Sequence, residues 1–408
     1  MNAETILQEA RELEAEIIEN RRFLHRHPET GFDTVETRAY VKKQLSDMGY
    51  EPQECGKAGF VVLAGGQKPG KTFLLRADMD ALPMTEESGV DFSSENPGKM
   101  HACGHDMHTA MLLAAARLLK AHEAEIEGTV KLMFQSAEEI FEGSKDMIDA
   151  GVLENPHVDA SLMVHVTAGL PMPSGTVIVC EGGISAPGAD FFTIHIQGKG
   201  CHGSMPSNGI DPINVAAHII IALQELHARE LALADEAVLT FGSIHGGNAN
   251  NVIPDTVVLD GSIRTYDEDV RALLKTRMTE ISRSIASAFR ATADVSFGSG
   301  CPCQVNDPQL ADAAYSYAKE LLGQKALSAA ILNAPVNGKK PPKTAGSEDF
   351  AYVSQAVPSI MLALAAGEPA QGYCYPQHNP KVTFDEASLA EGSASYAYIA
   401  MRWLEEHK

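Results

Sequence analysis

The chain has 408 residues, 44% of them hydrophobic, which is enough for a full core and argues against disorder; its length suggests roughly two to three domains. A formal net charge of −22 argues against nucleic acid or an anionic membrane as partner, while leaving room for an anionic substrate held by one aimed Arg. No apolar run is long enough to span a bilayer, the first residues lack a secretory signal, and seven scattered cysteines do not form a disulfide framework, so a cytoplasmic protein is expected.

Taken in chain order, Ile6 to Gln44 has helical periodicity in two blocks, broken near His25-Arg26-His27-Pro28-Glu29-Thr30-Gly31-Phe32 by Pro28 and Gly31. His25 and His27 read as structural. Phe60 to Ala64 and Thr72 to Arg76 are short apolar runs typical of buried strands, and the second leads into Ala77-Asp78-Met79-Asp80-Ala81-Leu82-Pro83. A helix is predicted from Thr109 to Lys120. Strands follow at Val130–Phe134, leading to Glu138 and Glu139, and at Ala160–Val164, ending at His165. Strands alternating with helices imply a largely parallel sheet, which binds ligands beyond the carboxyl ends of its strands. From about residue 188 the pattern changes to βαββαβ: strands at 191–196, 237–241, 256–263 and 293–297, helices at 212–226 and 270–289. That order predicts an inserted α+β, ferredoxin-like domain with a mainly antiparallel sheet. The expected organisation is a catalytic domain in two parts, 1–187 and 299–408, around an insert at 188–298. A further strand is expected at 359–364.

The stretch Met100-His101-Ala102-Cys103-Gly104-His105-Asp106-Met107-His108 concentrates the chemistry. Thiol and imidazole are ligands for a divalent transition metal, and Gly104 lets Cys103 and His105 face one space. Glu138-Glu139 follows a buried strand, where paired carboxylates need a positive neighbour. A metal meets that need, with one Glu as ligand and the other free as a base. A solvated acidic turn is the bland alternative. His165, after the next strand, and His378, in Tyr375-Pro376-Gln377-His378-Asn379-Pro380, are weak signals taken singly.

Together these motifs resemble the M20 family of metallopeptidases and amidohydrolases. The likeness is to the subgroup of aminoacylases, hippurate hydrolases and indole-acetyl-amino-acid hydrolases. It runs in order from His25-Arg26-His27-Pro28-Glu29 through Arg76 to Pro83, His101 to His108 and Ala137-Glu138-Glu139. It continues through Gly198-Lys199-Gly200-Cys201-His202-Gly203 and Gly346-Ser347-Glu348-Asp349-Phe350 to His378-Asn379-Pro380.

The resemblance implies two divalent ions, Mn2+, Zn2+, Ni2+ or Co2+, held by Cys103, His105, Glu139, His165 and His378, with Cys103 as the expected bridge. It implies Glu138 as general base and Asp80 and Asp106 as supporting or alternative ligands. His202, in the insert, would reach a partner subunit's site and polarise the scissile carbonyl. Asn250 or Asn251 and Arg264 would position substrate. Ser136, Ser207-Asn208-Gly209 and Val166-Thr167-Ala168-Gly169 depart from the subgroup's usual residues and bear on specificity rather than on the ligands.

The expected activity is hydrolysis of the linear amide C–N bond of a small-molecule N-acyl amino acid, by a homodimer or higher homo-oligomer whose insert serves as lid and dimerisation element. The alternatives are a dipeptidase or carboxypeptidase on the same scaffold, a non-catalytic metal or small-molecule binder, and, more remotely, a redox thiol protein built on Cys301 and Cys303.

Overall fold

A computed structural model describes residues 2–335, 339, 343 and 345–408. The N-terminal stretch forms three helices, α1 (Ala3–Glu12), α2 (Glu14–Arg26) and α3 (Val35–Asp47). The extra break falls at Leu13, which keeps a right-handed backbone and so leaves no Gly or Pro mark in the sequence. Three strands follow, β1 (Gln53–Cys55), β2 (Gly59–Gly65) and β3 (Thr72–Asp78). Next come α4 (His105–Ala121), β4 (Thr129–Gln135), α5 (Gly143–Asp149), β5 (Ala160–Thr167) and β6 (Val177–Val179).

The chain then forms β7 (Gly188–Gln197), β8 (Cys201–His202), α6 (Pro212–Glu225), β9 (Ala237–His245), β10 (Val252–Ile253), β11 (Thr256–Thr265), α7 (Glu268–Ala288) and β12 (Thr292–Cys301). It closes with α8 (Pro308–Leu322), β13 (Ala326–Ser328), α9 (Ala351–Ala356), β14 (Ser359–Ala365) and α10 (Leu389–Glu406).

Two compact units result. The chain leaves the first after Ser185 and re-enters it at Val305, while residues 345–348 belong with the second. The expected insert, 188–298, falls inside the second unit, whose return segment, 345–348, lies outside those bounds although it carries part of the Gly346-Ser347-Glu348-Asp349-Phe350 motif.

The first unit holds an eight-stranded sheet in the order β1-β2-β4-β3-β5-β14-β6-β13. Its centre, β4-β3-β5-β14, is parallel. β3 is buried along its whole length, as a strand covered on both faces must be. The β3–β5 pairing stops at Arg76 and Met163. Beyond it the Tyr396 hydroxyl, from α10, donates to the Arg76 carbonyl (2.8 Å) and accepts from the Val164 amide (3.0 Å). The strands therefore part at their carboxyl ends with their backbone groups satisfied, and that opening receives the polar motifs.

The second unit carries a four-stranded antiparallel sheet, β9-β11-β7-β12, with α6 and α7 packed on it through Ile219, Leu223, Leu274 and Met278. Beside it β8 and β10 form a two-stranded ribbon pairing His202 with Val252.

Candidate metal centre

The Cys/His stretch is not a free loop. α4 begins at His105, four residues before the predicted start, so His105, Asp106 and His108 occupy its first turn and are buried. Four consecutive polar or sulfur-bearing positions hid the apolar period there. Gly104 makes the turn possible. Its φ is +97°, and a Cβ there would lie 2.3 Å from Val166 Cγ2.

The five side chains singled out as ligands come together. Cys103, His105 and His165 offer donor atoms that all lie within 4.8 Å of one another, and so do those of Cys103, Glu139 and His378. Cys103 belongs to both groups. Its Sγ is 3.6 Å from His165 Nε2, and His378 Nε2 is 3.5 Å from Glu139 Oε2. His165 lies within β5 rather than at its end, because the strand continues to Thr167. His378 adopts φ +62°, an uncommon backbone for a non-glycine residue.

The surroundings fix which nitrogen of each ring is free. His105 Nδ1 donates to the Asp80 carbonyl (2.8 Å) and His165 Nδ1 donates to the Val166 carbonyl (2.7 Å). Both rings therefore turn an Nε2 lone pair toward the cluster, as metal-ligating histidines do. His105 Nε2 is buried without a hydrogen-bond partner among the described residues. His108 differs: its Nδ1 donates to Asp78 (2.6 Å) and its Nε2 accepts the Val166 amide (2.9 Å), so neither nitrogen is open to an ion. Burial holds this ring neutral, with its pKa lowered to about 4.

The electrostatics ask for a cation. Burial, reinforced by the Glu139 carboxylate, pushes the Cys103 thiol well above its ordinary pKa. Burial opposes charge on His105, yet the buried Asp78 carboxylate raises its pKa well above normal. A site that draws a proton onto an imidazole beside a thiol and carboxylates offers the same potential to a divalent ion. The donor set of thiol, imidazoles and carboxylate, with an orphaned His105 Nε2, therefore fits a divalent metal.

Glu138 is buried beside this set. Its Oε1 accepts a long hydrogen bond from the Asp349 amide (3.4 Å) and its Oε2 lies 3.8 Å from His105 Nε2. Asp80 clamps the turn, accepting the Glu138 amide (2.9 Å) on one oxygen and the Glu139 amide (3.2 Å) on the other. The preceding residue, Ala137, has φ +65°, so the chain holds a strained turn where the carboxylates emerge. Ser136 donates to the Ala58 carbonyl (3.1 Å), which makes Thr34 the donor in their 2.6 Å contact.

Asp106 is held by side chains of α2. Its Oδ2 accepts from Arg21 Nε and His25 Nδ1, both at 2.8 Å. Burial disfavours its charge, but Arg21 and His25 outweigh it and hold the carboxyl far below its ordinary range. Among the described residues, it belongs to none of the groups able to share an ion. His25 also bonds Glu86 (3.1 Å), so this histidine ties the end of α2 to the start of α4.

Sequence reasoning passed over Asp78. It is fully buried, salt-bridged to Arg76 (2.6 Å) and 3.6 Å from His105 Nε2. Its signal was available: a second acid in Arg-Ala-Asp-Met-Asp at the end of a strand buried on both faces.

The remaining candidates lie in the second unit. His202 is exposed on β8 and its Nδ1 accepts from the Ser204 amide (3.1 Å), which leaves Nε2 as the proton-bearing nitrogen. Asn250 and Asn251 are exposed just before β10, and the Asn251 carbonyl accepts the Gly203 amide (2.7 Å). Arg264, on β11, donates to the Ala345 carbonyl (3.0 Å) and the Ser347 hydroxyl (2.8 Å). It thus binds the return segment.

Comparison with known proteins decides the family. Residues 74–402 match the family described as Peptidase family M20/M25/M40. The chain belongs to this family. It is 35% identical to the N-acetyl-L-cysteine deacetylase of Bacillus subtilis (strain 168) over 97% of this chain and 90% of that one. It is 38% identical to the IAA-amino acid hydrolase ILR1-like 4 of Arabidopsis thaliana, covering 95% and 86% respectively. Thermostable carboxypeptidase 2 of Saccharolobus solfataricus is 36% identical, with 98% of each chain covered. Among solved structures, the Bacillus subtilis YXEP protein, described as a dinuclear metal binding peptidase from the M20 family, superposes with a TM-score of 0.77. Identity there is 31%, with 97% and 99% coverage. As a member of the M20/M25/M40 family, the protein is a metal-dependent amidohydrolase acting on amide bonds.

Proposed function

We propose that this amidohydrolase cleaves N-acyl amino acids to a carboxylic acid and a free amino acid, using two divalent ions. The observation that carries the reading is the setting of Glu138: one oxygen anchored by the Asp349 amide, the other turned to His105, beside a ligand Glu139. The residues that would hold them are Cys103, His105, Glu139, His165 and His378. Such ions supply Lewis-acid polarisation of a carbonyl and make water acidic near neutral pH.

The chain's own residues do the rest. Glu138 takes a proton from the attacking water on Oε2 and passes it to the departing amine nitrogen. His202, with its proton on Nε2, donates to the developing oxyanion, an interaction whose loss costs roughly 3–4 kcal/mol where one such donor is removed. Arg264 and Asn250 or Asn251 hold the amino-acid carboxylate, Arg being suited to a two-pronged grip. His202 acts on the site of a second copy of the chain, and the insert at 188–298 serves as lid and dimer contact. A reducing cytoplasm suits a chain whose seven cysteines form no disulfide among the described residues. No helix of the described residues is long and apolar enough to cross a membrane.

Glu138→Gln should abolish turnover while metal content, read by elemental analysis, stays unchanged; full activity in that variant would overturn the mechanism. The same analysis identifies the metal. An assay on acetyl, benzoyl and indole-acetyl amino acids against longer N-blocked peptides and dipeptides separates this reading from a carboxypeptidase, the activity one relative's name carries, and from a dipeptidase. Preference for substrates with a free amine would favour the latter.

A further inference from the structure

Behind Glu138 lies a buried polar network that the reaction scheme does not use. Arg76, fully buried on β3, sends its nitrogens three ways: Nε to Gln135 Oε1 (2.9 Å), Nη1 to Asp78 Oδ2 (2.6 Å) and Nη2 to Asp349 Oδ1 (2.9 Å). Gln135 Nε2 donates to both oxygens of Asp349 (2.8 and 2.9 Å). The Ser144 amide donates to Asp349 Oδ2 (2.9 Å), and the Ser144 hydroxyl donates to Gln135 Oε1 (2.8 Å). Asp349 thus accepts from a guanidinium, a side-chain amide and a backbone N–H, while its own backbone N–H donates to Glu138 Oε1 (3.4 Å).

Two buried carboxylates around one buried guanidinium are an inefficient way to gain stability, because desolvation offsets most of the attraction. Such a network does fix direction: Arg76 is planar, and each of its contacts leaves Asp349 little freedom to rotate. We propose that Asp349 is a positioning residue for the general base. Its carboxylate, locked by Arg76, Gln135 and Ser144, holds the backbone N–H that anchors Glu138 Oε1 and so keeps Oε2 turned toward His105. The same guanidinium pins Asp78, which faces His105 Nε2 from another side (3.6 Å). One cation therefore sets the base and a ligand in common register. This inference rests on Glu138 being the base.

An exchange of groups tests it. Asp349→Asn places an NH2 among three donors, and Gln135→Glu sets one carboxylate against another. The double variant Asp349→Asn/Gln135→Glu swaps amide and carboxylate and again gives each Arg76 nitrogen an acceptor, while the Ser144 amide comes to face the new NH2. Each single variant should lower kcat by tenfold or more, with KM and metal content within about twofold, and the double variant should recover much of that loss. Ser144→Ala leaves every charge in place and should give a smaller fall in kcat with KM unchanged. Wild-type kcat in Asp349→Asn and Ser144→Ala overturns the proposal. So does a parallel fall of kcat, metal content and thermal midpoint with no recovery in the double variant, since that is the signature of a merely structural network. Glu138→Gln is run alongside: if it stays active the base assignment fails, whereas an inactive Glu138→Gln with an active Asp349→Asn removes only the role of Asp349.

Discussion

His105 and His165 of the first unit and His202 of the second are held in opposite ways. In the first, His105 and His165 each have one ring nitrogen committed to a backbone carbonyl, and Asp80 grips both amides of the Glu138-Glu139 turn. In the second, His202, Asn250 and Asn251 are exposed. An ion demands ligands set to within a fraction of an ångström, so the fold must arrange them beforehand. On the proposed reading, the partner of these groups, a substrate or a second copy of the chain, lies outside this one, which suits their exposure.

That contrast can be broken by substitution. The largest effect is expected from Cys103→Ala or His105→Ala, which should lose bound metal and activity together. His202→Asn should keep full metal content and lose about 10²–10³-fold in kcat. Loss of metal in His202→Asn would erase the distinction. Mixing Glu138→Gln with His202→Asn should restore measurable activity through hybrid dimers; none despite proven subunit exchange would argue against action across subunits. A middle effect is expected at the hinge of the metal loop. Gly104→Ala forces a side chain into a left-handed backbone and against Val166, and should cost about 1–3 kcal/mol in thermal or denaturant unfolding. An unchanged midpoint would show that the loop has slack.

The smallest expected effect lies far from the site. His122 bonds Glu125 (2.8 Å) and Glu9 (2.7 Å), joining the end of α4 to α1. Burial lowers its pKa, but the two carboxylates prevail and raise it above 6.5. Its contribution is then complete below the unfolded pKa of 6.5 and is lost as pH rises through the higher folded value. His122→Gln should flatten that part of the stability profile. A wild-type slope across neutral and mildly alkaline pH would refute the contribution.

Much of this arrangement was legible in the sequence, for identifiable reasons. Strands such as β3 and β14 announce themselves as short apolar runs, and Cys103, His105 and Glu138-Glu139 carry functional chemistry in residue type alone. What stayed hidden depends on contacts distant in sequence. Asp106 looked as able to ligate as its neighbours until Arg21 and His25, from α2, were seen to claim it. The start of α4 was masked because a helix buried on nearly every side can carry His and Asp where periodicity expects Leu. Asp349 sits in the motif Gly346-Ser347-Glu348-Asp349-Phe350, but nothing local marks its role, since its partners Arg76 and Gln135 are distant in sequence.

The five candidate ligands come from four separated places on the chain: Cys103 and His105 together, then Glu139, His165 and His378. Ions bound to all of them would act as cross-links. The longest closure, from His165 to His378, encloses the entire second sheet and its helices, and the entropy of closing such a loop grows only slowly with its length. Because the unfolded chain cannot assemble these donors, free metal draws the equilibrium toward the folded form. Resistance to unfolding should then climb with the logarithm of metal concentration, so the ions that activate the enzyme would also tie its ends together.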